Sequence, residues 1–272
     1  MRIKSLCIAA AVTVLTFAGS WRAQAQLVAP GESGVAQGHL HLAVRDPETG
    51  QKFWAMLGGT PIQNGALQLI QFPGTFVMLR KAEPSGGTVG STVEHFGFHV
   101  KNLSESLAQW QASPVWQAAG VKWAPTNATQ GFLTGPDDVR IEVIQNTAID
   151  TPIRFHHVHF FTASAVETQA WYAKMFGAAP GKRASFDAAD LPGVNLTFSK
   201  ADGPVVGTRG RSLDHIGFEV RNLEQFIKKL EASGIKMDRP YTKIANSATA
   251  IAFLTDPWGT YIELTENLAP AK

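Results

Sequence analysis

The sequence predicts an α+β fold in which one unit, a strand followed by a helix and further strands, is repeated along the chain. Three observations predict it. Segments with alternating apolar and polar residues, typical of half-buried strands, recur along the chain. Segments with helix-capping residues lie between them. At an offset of about 120 residues the chain shows two similar halves, 37–147 and 152–267, and each half repeats internally.

The first 25 residues are expected to be a cleavable secretory signal. Arg2 and Lys4 form a basic start, an apolar run extends from Cys7 to Gly19, and Ala23-Gln24-Ala25 is typical of a cleavage site. We therefore expect a periplasmic or secreted protein. Cys7 is the only cysteine, so the mature chain would lack disulfides and thiolate chemistry.

Charge and hydropathy exclude two classes of partner. The chain has 24 Lys and Arg residues and 22 Asp and Glu residues, and three of the basic residues precede residue 26, so the mature chain is nearly neutral. No Lys/Arg run exceeds two residues, which argues against nucleic acid binding. No later segment is long enough to span a membrane. We expect a small-molecule substrate as the partner, and a monomer or homodimer.

The elements of the first half follow from local signals. A strand at His39 to Val44 leads into a short helix opened by Asp46-Pro47, because Asp caps a helix and Pro suits its first turn. A second strand covers His95 to Val100. Asn102 with Glu105 then opens a helix that Gly120 ends. Arg140 to Val143 is the closing strand.

The second half repeats the series after a linker, Asn146 to Pro152. A strand at His156 to Phe161 precedes a helix that opens with the capping-box pair Ser164 and Glu167 and ends at Gly177. The strand His215 to Val220 precedes a helix expected to be capped by Asn222 and to end at Gly234. The last strand, Tyr261 to Leu264, follows a turn at Asp256-Pro257-Trp258-Gly259.

All eight histidines fall in these strands, and the strands carry a repeated ligand pattern. His39 and His157 are 118 residues apart, His95 and His215 are 120 apart, and Glu142 and Glu263 are 121 apart. A period of two places these six side chains opposite the apolar core face. Two imidazoles and one carboxylate form an open-sided metal-ligand set that leaves positions for substrate.

The residues at this point resemble the vicinal oxygen chelate superfamily, the glyoxalase, fosfomycin-resistance and extradiol dioxygenase group. The most specific match is Phe253-Leu254-Thr255-Asp256-Pro257-Trp258-Gly259-Thr260-Tyr261-Ile262-Glu263-Leu264, which is similar to the closing stretch of the family. The resemblance covers essentially the whole mature chain. It implies four βαβββ modules in two tandem glyoxalase-like domains, each an open curled-sheet cup around a divalent metal.

The resemblance also implies the ligands, carried over position by position and assigned half by half. They are His39, His95 and Glu142 in the first half and His157, His215 and Glu263 in the second. The second set is preferred because its closing motif is intact. The choice among His156, His157 and His159 stays open, since a one-residue shift in strand register reverses the faces.

Two departures limit the reaction class. Some lyases of the family have a further carboxylate, and the approximate equivalents here are Met78 and Asn195, which argues against glyoxalase I. The ring-cleaving dioxygenases have a histidine shortly before the closing turn, and this chain has none between His215 and its end.

The sequence therefore predicts an exported metalloenzyme whose divalent ion, such as Zn, Mn, Ni or Fe(II), stabilises an enolate or oxyanion as a Lewis acid. Glu263, as carboxylate ligand, and Glu219, on the same face as His215, are the candidate catalytic residues. Two alternatives remain, an Fe(II)-dependent extradiol-type dioxygenase and a non-catalytic small-molecule binding protein.

Overall fold

The computed structural model describes residues 27–64 and 67–268. The expected signal peptide, residues 1–25, lies outside this part of the chain. Within the described residues, no helix is both long enough and apolar enough to cross a membrane.

The chain forms four βαβββ modules, as the resemblance implied. Module 1 comprises β1 (Val35–Val44), α1 (Pro47–Met56), β2 (Thr60–Asn64), β3 (Leu67–Phe72) and β4 (Thr75–Lys81). Module 2 comprises β5 (Val93–Val100), α2 (Leu103–Ala112), α3 (Pro114–Ala118), β6 (Lys122–Asn127), β7 (Gln130–Thr134) and β8 (Arg140–Gln145). Module 3 comprises β9 (Ile153–Thr162), α4 (Ala165–Phe176), β10 (Ala179–Arg183), β11 (Phe186–Leu191) and β12 (Val194–Lys200). Module 4 comprises β13 (Leu213–Val220), α5 (Leu223–Ala232), β14 (Met237–Lys243), β15 (Ala250–Thr255) and β16 (Tyr261–Glu266).

Three of the four expected helix caps are present. Asp46 accepts a hydrogen bond from the Glu48 amide, Asn102 from the Glu105 amide and Ser164 from the Glu167 amide. The cap expected at Asn222 is wrong, because this residue is left-handed (φ 56°) and its side chain makes no capping bond. α5 nevertheless begins after Asn222, because the apolar face of its first two turns is buried. This face consists of Leu223, Phe226 and Ile227.

Two eight-stranded open sheets result, and each takes one module from each half of the chain. The first sheet has the order β14-β15-β16-β13-β1-β4-β3-β2 and joins modules 1 and 4. The second has the order β10-β11-β12-β9-β5-β8-β7-β6 and joins modules 2 and 3. The α+β class and the two open cups are therefore confirmed. The expected pairing of modules within each half, 37–147 and 152–267, is wrong.

The sheets share one apolar core on the faces that carry the helices. Trp54 of α1 packs on Phe72 in the first sheet and on Phe96 in the second, with ring centroids 6.1 and 6.0 Å apart. From the second half, Phe176 of α4 packs on Phe218 of the first sheet at 5.1 Å. This core fixes both sheets and leaves their opposite faces for other chemistry.

A β-bulge on each central strand changes the direction of particular side chains. The shifts in pairing between β1 and β13 leave Gly38 and Asp214 as the extra residues. The pairing of β5 with β9 leaves Glu94 and His156 as their counterparts. Because a bulge interrupts the alternation of faces, these residues need not follow the period of two.

Candidate metal sites

Three of the predicted ligands meet on the open face of the first sheet. His39 of β1 lies opposite Gly217 of β13, and Gly217 pairs in turn with Glu263 of β16. The adjacent strands β1, β13 and β16 thus place His39, His215 and Glu263 together, although they come from opposite ends of the sequence. We call this group, with His41, the Glu263 site.

The spacing of its donor atoms suits one ion. His39 Nε2 and His215 Nε2 each lie 2.9 Å from the same oxygen, Glu263 Oε2. Nitrogen and oxygen ligands bind first-row divalent ions at about 2.1 Å, so neighbouring ligands on one ion stand about 3 Å apart. All three residues are buried.

His41 is the fourth member of the Glu263 site. Its donor atom lies within 4.8 Å of those of His39, His215 and Glu263. Both ring nitrogens of His41 are buried without a hydrogen-bond partner, as is His39 Nδ1. Burial, followed by the neighbouring His215, lowers the pKa of His41 to about 3, so the imidazole is a neutral donor at neutral pH.

Asp214 orients His215 from the other side of its ring. The bulge at Asp214 brings its carboxylate to His215 Nδ1, at 2.7 Å. Burial disfavours the charged imidazolium, but the hydrogen bonds to Asp214 and Glu263 outweigh it and raise the pKa of His215. With Nδ1 donating to Asp214, the neutral ring has the lone pair of Nε2 available for a metal ion, as in metal-bound histidines held by a second carboxylate.

Glu263 is held in its ionised form. Burial opposes ionisation, but hydrogen bonds from His215 and His39 outweigh it, so the pKa of Glu263 lies well below its usual range. Phe253 and Tyr261 stack on each other with centroids 5.1 Å apart, and each ring meets His215 edge-on. They form an aromatic wall beside the ligands.

The equivalent group on the second sheet is the Glu142 site, formed by His95, His157, His159 and Glu142. His157 Nε2 lies 2.9 Å from Glu142 Oε2, and His95 Nε2 lies 3.6 Å from it. Glu142 Oε2 and His157 Nε2 are buried and are not aligned as a hydrogen bond. Glu94, the bulge residue, contacts His95 Nδ1 as Asp214 contacts His215.

The Glu142 site differs in its cationic and polar neighbours. Arg183 Nη2 lies 3.6 Å from Glu142 Oε2, and Gln130 donates to Glu142 Oε1 at 2.5 Å. Burial raises the pKa of Glu142, but the neighbouring histidines outweigh burial and hold it far below the usual value. The site opens into a cavity of about 600 Å³, with Phe132, Phe161 and Phe186 among its lining residues.

The structure also settles the open register question. His157 pairs with Gly97 and His159 with His95, so both side chains lie in the Glu142 site. His156 is the bulge residue and stacks on His99 with ring centroids 3.7 Å apart. His156 and His99 line a separate cavity of about 660 Å³.

The ligand assignment by halves is therefore corrected. The structure places His39 with His215 and Glu263, and it places His157 with His95 and Glu142. All six predicted residues occupy the two sites, but the first-strand histidines are exchanged. The exchange follows from the sheet order, because β1 neighbours β13 and β9 neighbours β5.

Glu219, the other candidate catalytic residue, lies apart from the ligand group. Its carboxylate accepts hydrogen bonds from Thr265 Oγ1 at 2.7 Å and from the Asn267 amide at 2.7 Å. Burial raises the pKa of Glu219. Through these contacts Glu219, on β13, holds the last residues of β16 and the residue that follows them. Its role in the structure is to connect β13 to this segment.

Met78 and Asn195 stand approximately where some lyases of the family have a further carboxylate. Each lies opposite a histidine of a neighbouring strand. Met78 faces His41 across β4 and β1, whereas Asn195 faces His157 across β12 and β9. Neither is anionic, as the sequence indicated.

Sequence reasoning missed the two carboxylates next to the second-strand histidines. Glu94-His95 and Asp214-His215 both show an acid directly before the histidine. A strict period of two places such neighbours on opposite faces, and only the bulges bring them together. The repeated acid-histidine pair was the available signal.

Comparisons with known proteins agree with this fold. Residues 154–264 match the sequence model of the Glyoxalase/Bleomycin resistance protein/Dioxygenase superfamily. No curated protein matches the chain in sequence.

Two solved structures illustrate the likeness. Glyoxalase I from Zea mays is 16% identical with a TM-score of 0.66, over 86% of this chain and 92% of that chain. A "putative dioxygenase" from Bacillus subtilis subsp. subtilis str. 168 is 13% identical with a TM-score of 0.63, over 90% of this chain and 87% of that chain. At these identities the likeness concerns the fold alone. Residues 154–264 are thus similar to the Glyoxalase/Bleomycin resistance protein/Dioxygenase superfamily, and the whole chain, with its four βαβββ modules in two open sheets, has a glyoxalase-like fold.

Proposed function

We propose that the protein is a divalent-metal-dependent enzyme of this superfamily that acts on a small substrate with neighbouring oxygen atoms. The metal would be held by His39, His215 and Glu263. The observation that carries the proposal is the approach of two Nε2 atoms to one carboxylate oxygen, both at 2.9 Å. The buried, unpartnered nitrogens of His41 beside them are a second sign of an ion.

A bound divalent ion would supply Lewis-acid stabilisation of an enolate or oxyanion, which serves lyase, isomerase, epimerase and hydrolase reactions alike. The chain's own residues prepare the site for such a substrate. Glu263 supplies the negative charge that retains the cation, and Asp214 fixes the His215 ring. Phe253 and Tyr261 would pack on the carbon part of the substrate and exclude water from one side.

We place the metal in the Glu263 site in preference to the Glu142 site. Among the described residues, Glu263 forms no ion pair with an arginine or lysine. Glu142, by contrast, has Arg183 Nη2 at 3.6 Å from its Oε2 atom. A guanidinium at this distance repels a second cation in a buried site.

We also propose that the protein acts outside the cytoplasm, in the periplasm or after secretion. The support is the sequence of residues 1–25, with its basic start, apolar run and small-residue cleavage signal. Fractionation of cells that express the full chain, with N-terminal sequencing of the product, tests this part of the proposal.

Metal analysis tests the function. The mature protein is purified without chelators and compared with Glu263→Gln and Glu142→Gln. We expect about one equivalent of divalent metal in the wild type and in Glu142→Gln, and a large loss in Glu263→Gln, because an amide is a weaker ligand than a carboxylate. Full metal content in Glu263→Gln would contradict the proposed site.

Three measurements then separate the rival activities. Turnover of hydroxycarbonyl or dicarbonyl compounds, lost on chelation, supports Lewis-acid chemistry. Oxygen uptake with a catechol by the iron-loaded protein would replace it with dioxygenase chemistry, since two histidines and a carboxylate also suit Fe(II). Stoichiometric binding without turnover, unaffected by chelators, would identify a binding protein.

A further inference from the structure

His41 has the features of a metal ligand. It lies two residues after His39 on β1, so the period of two places both rings on the open face. Its two ring nitrogens are buried and have no hydrogen-bond partner among the described residues. Because a buried polar atom without a partner is costly, these nitrogens are suited to bind an ion.

The neighbours of His41 include the other imidazoles of the site. Across the strands His41 faces His215 on β13 and Met78 on β4. Its ring centroid is 4.4 Å from that of His215 and 6.3 Å from that of His39. Met78 offers only a thioether sulfur, which is a weak acceptor and cannot donate to an imidazole nitrogen. His41 therefore lies beside both other imidazoles of the site, where an ion bound between them would be a suitable partner.

We propose that His41 is a fourth protein ligand, so that the Glu263 site binds its ion through three imidazoles and one carboxylate; the proposal rests on the metal site proposed above. The donor atoms of all four residues lie within 4.8 Å of one another. Ligands at about 2.1 Å from one ion are separated by about 3 Å when adjacent and about 4.2 Å when opposite, so this cluster is of the right size.

Three imidazoles also define the class of cation. Imidazole suits Zn, Cu, Fe and Ni, whereas Mg, Ca and Mn prefer carboxylate, carbonyl and water oxygens. The ligand set therefore selects a nitrogen-preferring ion of the first row. With four protein ligands, a six-coordinate ion of this kind has two coordination positions free. This number matches a substrate that binds through two oxygens.

The second sheet provides a matched control. His159 occupies the position of His41, two residues after the first-strand histidine, but its nitrogens already have partners. His159 Nε2 lies 2.8 Å from Ser199 Oγ, and His159 Nδ1 lies 3.3 Å from His95 Nε2. An imidazole satisfied in this way has less to gain from an ion.

The test uses Cu(II) and Co(II) as probes of the mature protein carrying Glu142→Gln, which confines tight binding to the Glu263 site. Electron spin-echo spectroscopy of the Cu(II) protein counts the bound imidazoles. We expect three, and two after His41→Gln. We also expect His41→Gln to weaken Co(II) binding by more than about tenfold and to change its visible absorption, whereas His159→Gln changes neither.

The outcomes separate the two proposals. Two imidazoles before and after His41→Gln, with unchanged Co(II) affinity, would overturn the role of His41 and leave the metal site intact. No metal binding at all, or binding that Glu263→Gln leaves unchanged, would overturn the site itself. Counting the imidazoles in the protein with His41 present needs no His41 variant, so the test holds even if that variant folds poorly.

Discussion

The backbone of Gly217 lies directly against the imidazole of His39. A Cβ added at Gly217 would stand 2.1 Å from His39 Cε1, which is far closer than two non-bonded carbon atoms can approach. The same relationship joins Gly97 to His157, again at 2.1 Å. Each first-strand histidine thus occupies the space that a side chain on the opposite strand would fill, which explains the shared pattern His-x-Gly in β5 and β13.

Replacing Gly217 by alanine tests whether this space is needed for binding. Gly217→Ala should displace the His39 ring and weaken metal binding at the Glu263 site by more than about tenfold, since one ligand is lost. Gly97→Ala is the matched control, because it crowds His157 in the other sheet. Isothermal titration with Zn(II) measures both affinities. Equal affinity in the wild type and Gly217→Ala would show that His39 is not a ligand.

Asp214 provides the second prediction. Asp214→Asn keeps the shape of the side chain that faces His215 Nδ1 but removes its charge, so His215 becomes a poorer ligand. We expect metal affinity to fall by about 10- to 100-fold, the usual effect of changing such a partner. Glu94→Gln makes the equivalent change beside His95 and should leave the Glu263 site unaffected. A fall of the same size in both variants would point to a general loss of stability.

The sequence predicted which residues lie on the open faces of the sheets, but it did not predict which modules pair to bring them together. The alternation of Ile216, Phe218 and Val220 with His215 and Gly217 is a local property, and it correctly predicted which face of β13 lies opposite the apolar core. Which module pairs with which is decided at long range, since His39 and Glu263 are 224 residues apart. A repeat of about 120 residues is compatible with either pairing.

The bulges set a second limit. Pairing shifts at Asp214 and Glu94 depend on how two distant strands meet, so the acid before each histidine does not by itself predict a bulge. Tertiary contacts also explain the start of α5. The helix begins after Asn222 without a side-chain cap, because its apolar face packs on the sheet. Local signals thus predicted the elements, and tertiary contacts determined the geometry of the site.

His156 predicts how stability depends on pH. Burial, followed by the neighbouring His99, lowers the pKa of His156 to about 3, whereas an unfolded histidine titrates near 6.5. Between these values the unfolded state binds more protons, so stability rises with pH and falls on acidification. His156→Gln should reduce this slope between pH 6 and pH 4 by up to about 1.4 kcal/mol per pH unit.

Chemical denaturation of the metal-free protein at several pH values measures that slope. Gln111→Ala, an exposed change on α2, serves as the control and should leave the slope unchanged. If His156→Gln and the wild type lose stability in parallel as the pH falls, the folded protein does not keep His156 neutral.

Tyr172 links module 3 to the closing turn of module 4. Its hydroxyl donates to Asp256 Oδ2 at 2.9 Å, and Asp256 Oδ1 also accepts from the Thr260 amide at 2.7 Å. Tyr172→Phe leaves the buried carboxyl with one partner fewer and should cost about 1.5–3 kcal/mol of unfolding free energy. Thermal unfolding measures the loss. Tyr241→Phe, at an exposed tyrosine, should have no effect, and a stable Tyr172→Phe would show that the turn does not depend on this bond.

Arg183 gives the last prediction, which concerns the Glu142 site. The guanidinium is 3.6 Å from Glu142 Oε2 and donates from Nε to Thr197 Oγ1 at 2.8 Å, so it is held close to the histidines. Arg183→Met should therefore raise the metal affinity of the Glu142 site by more than about tenfold, because one half-buried positive charge is removed. Titration with Zn(II) should show one tight equivalent in the wild type and a second in the variant. Arg154→Met removes an exposed arginine that pairs with Asp150 and should leave one tight equivalent. Two equal, tight equivalents in the wild type would mean that Arg183 does not disfavour a cation, and both sites would then be metal centres.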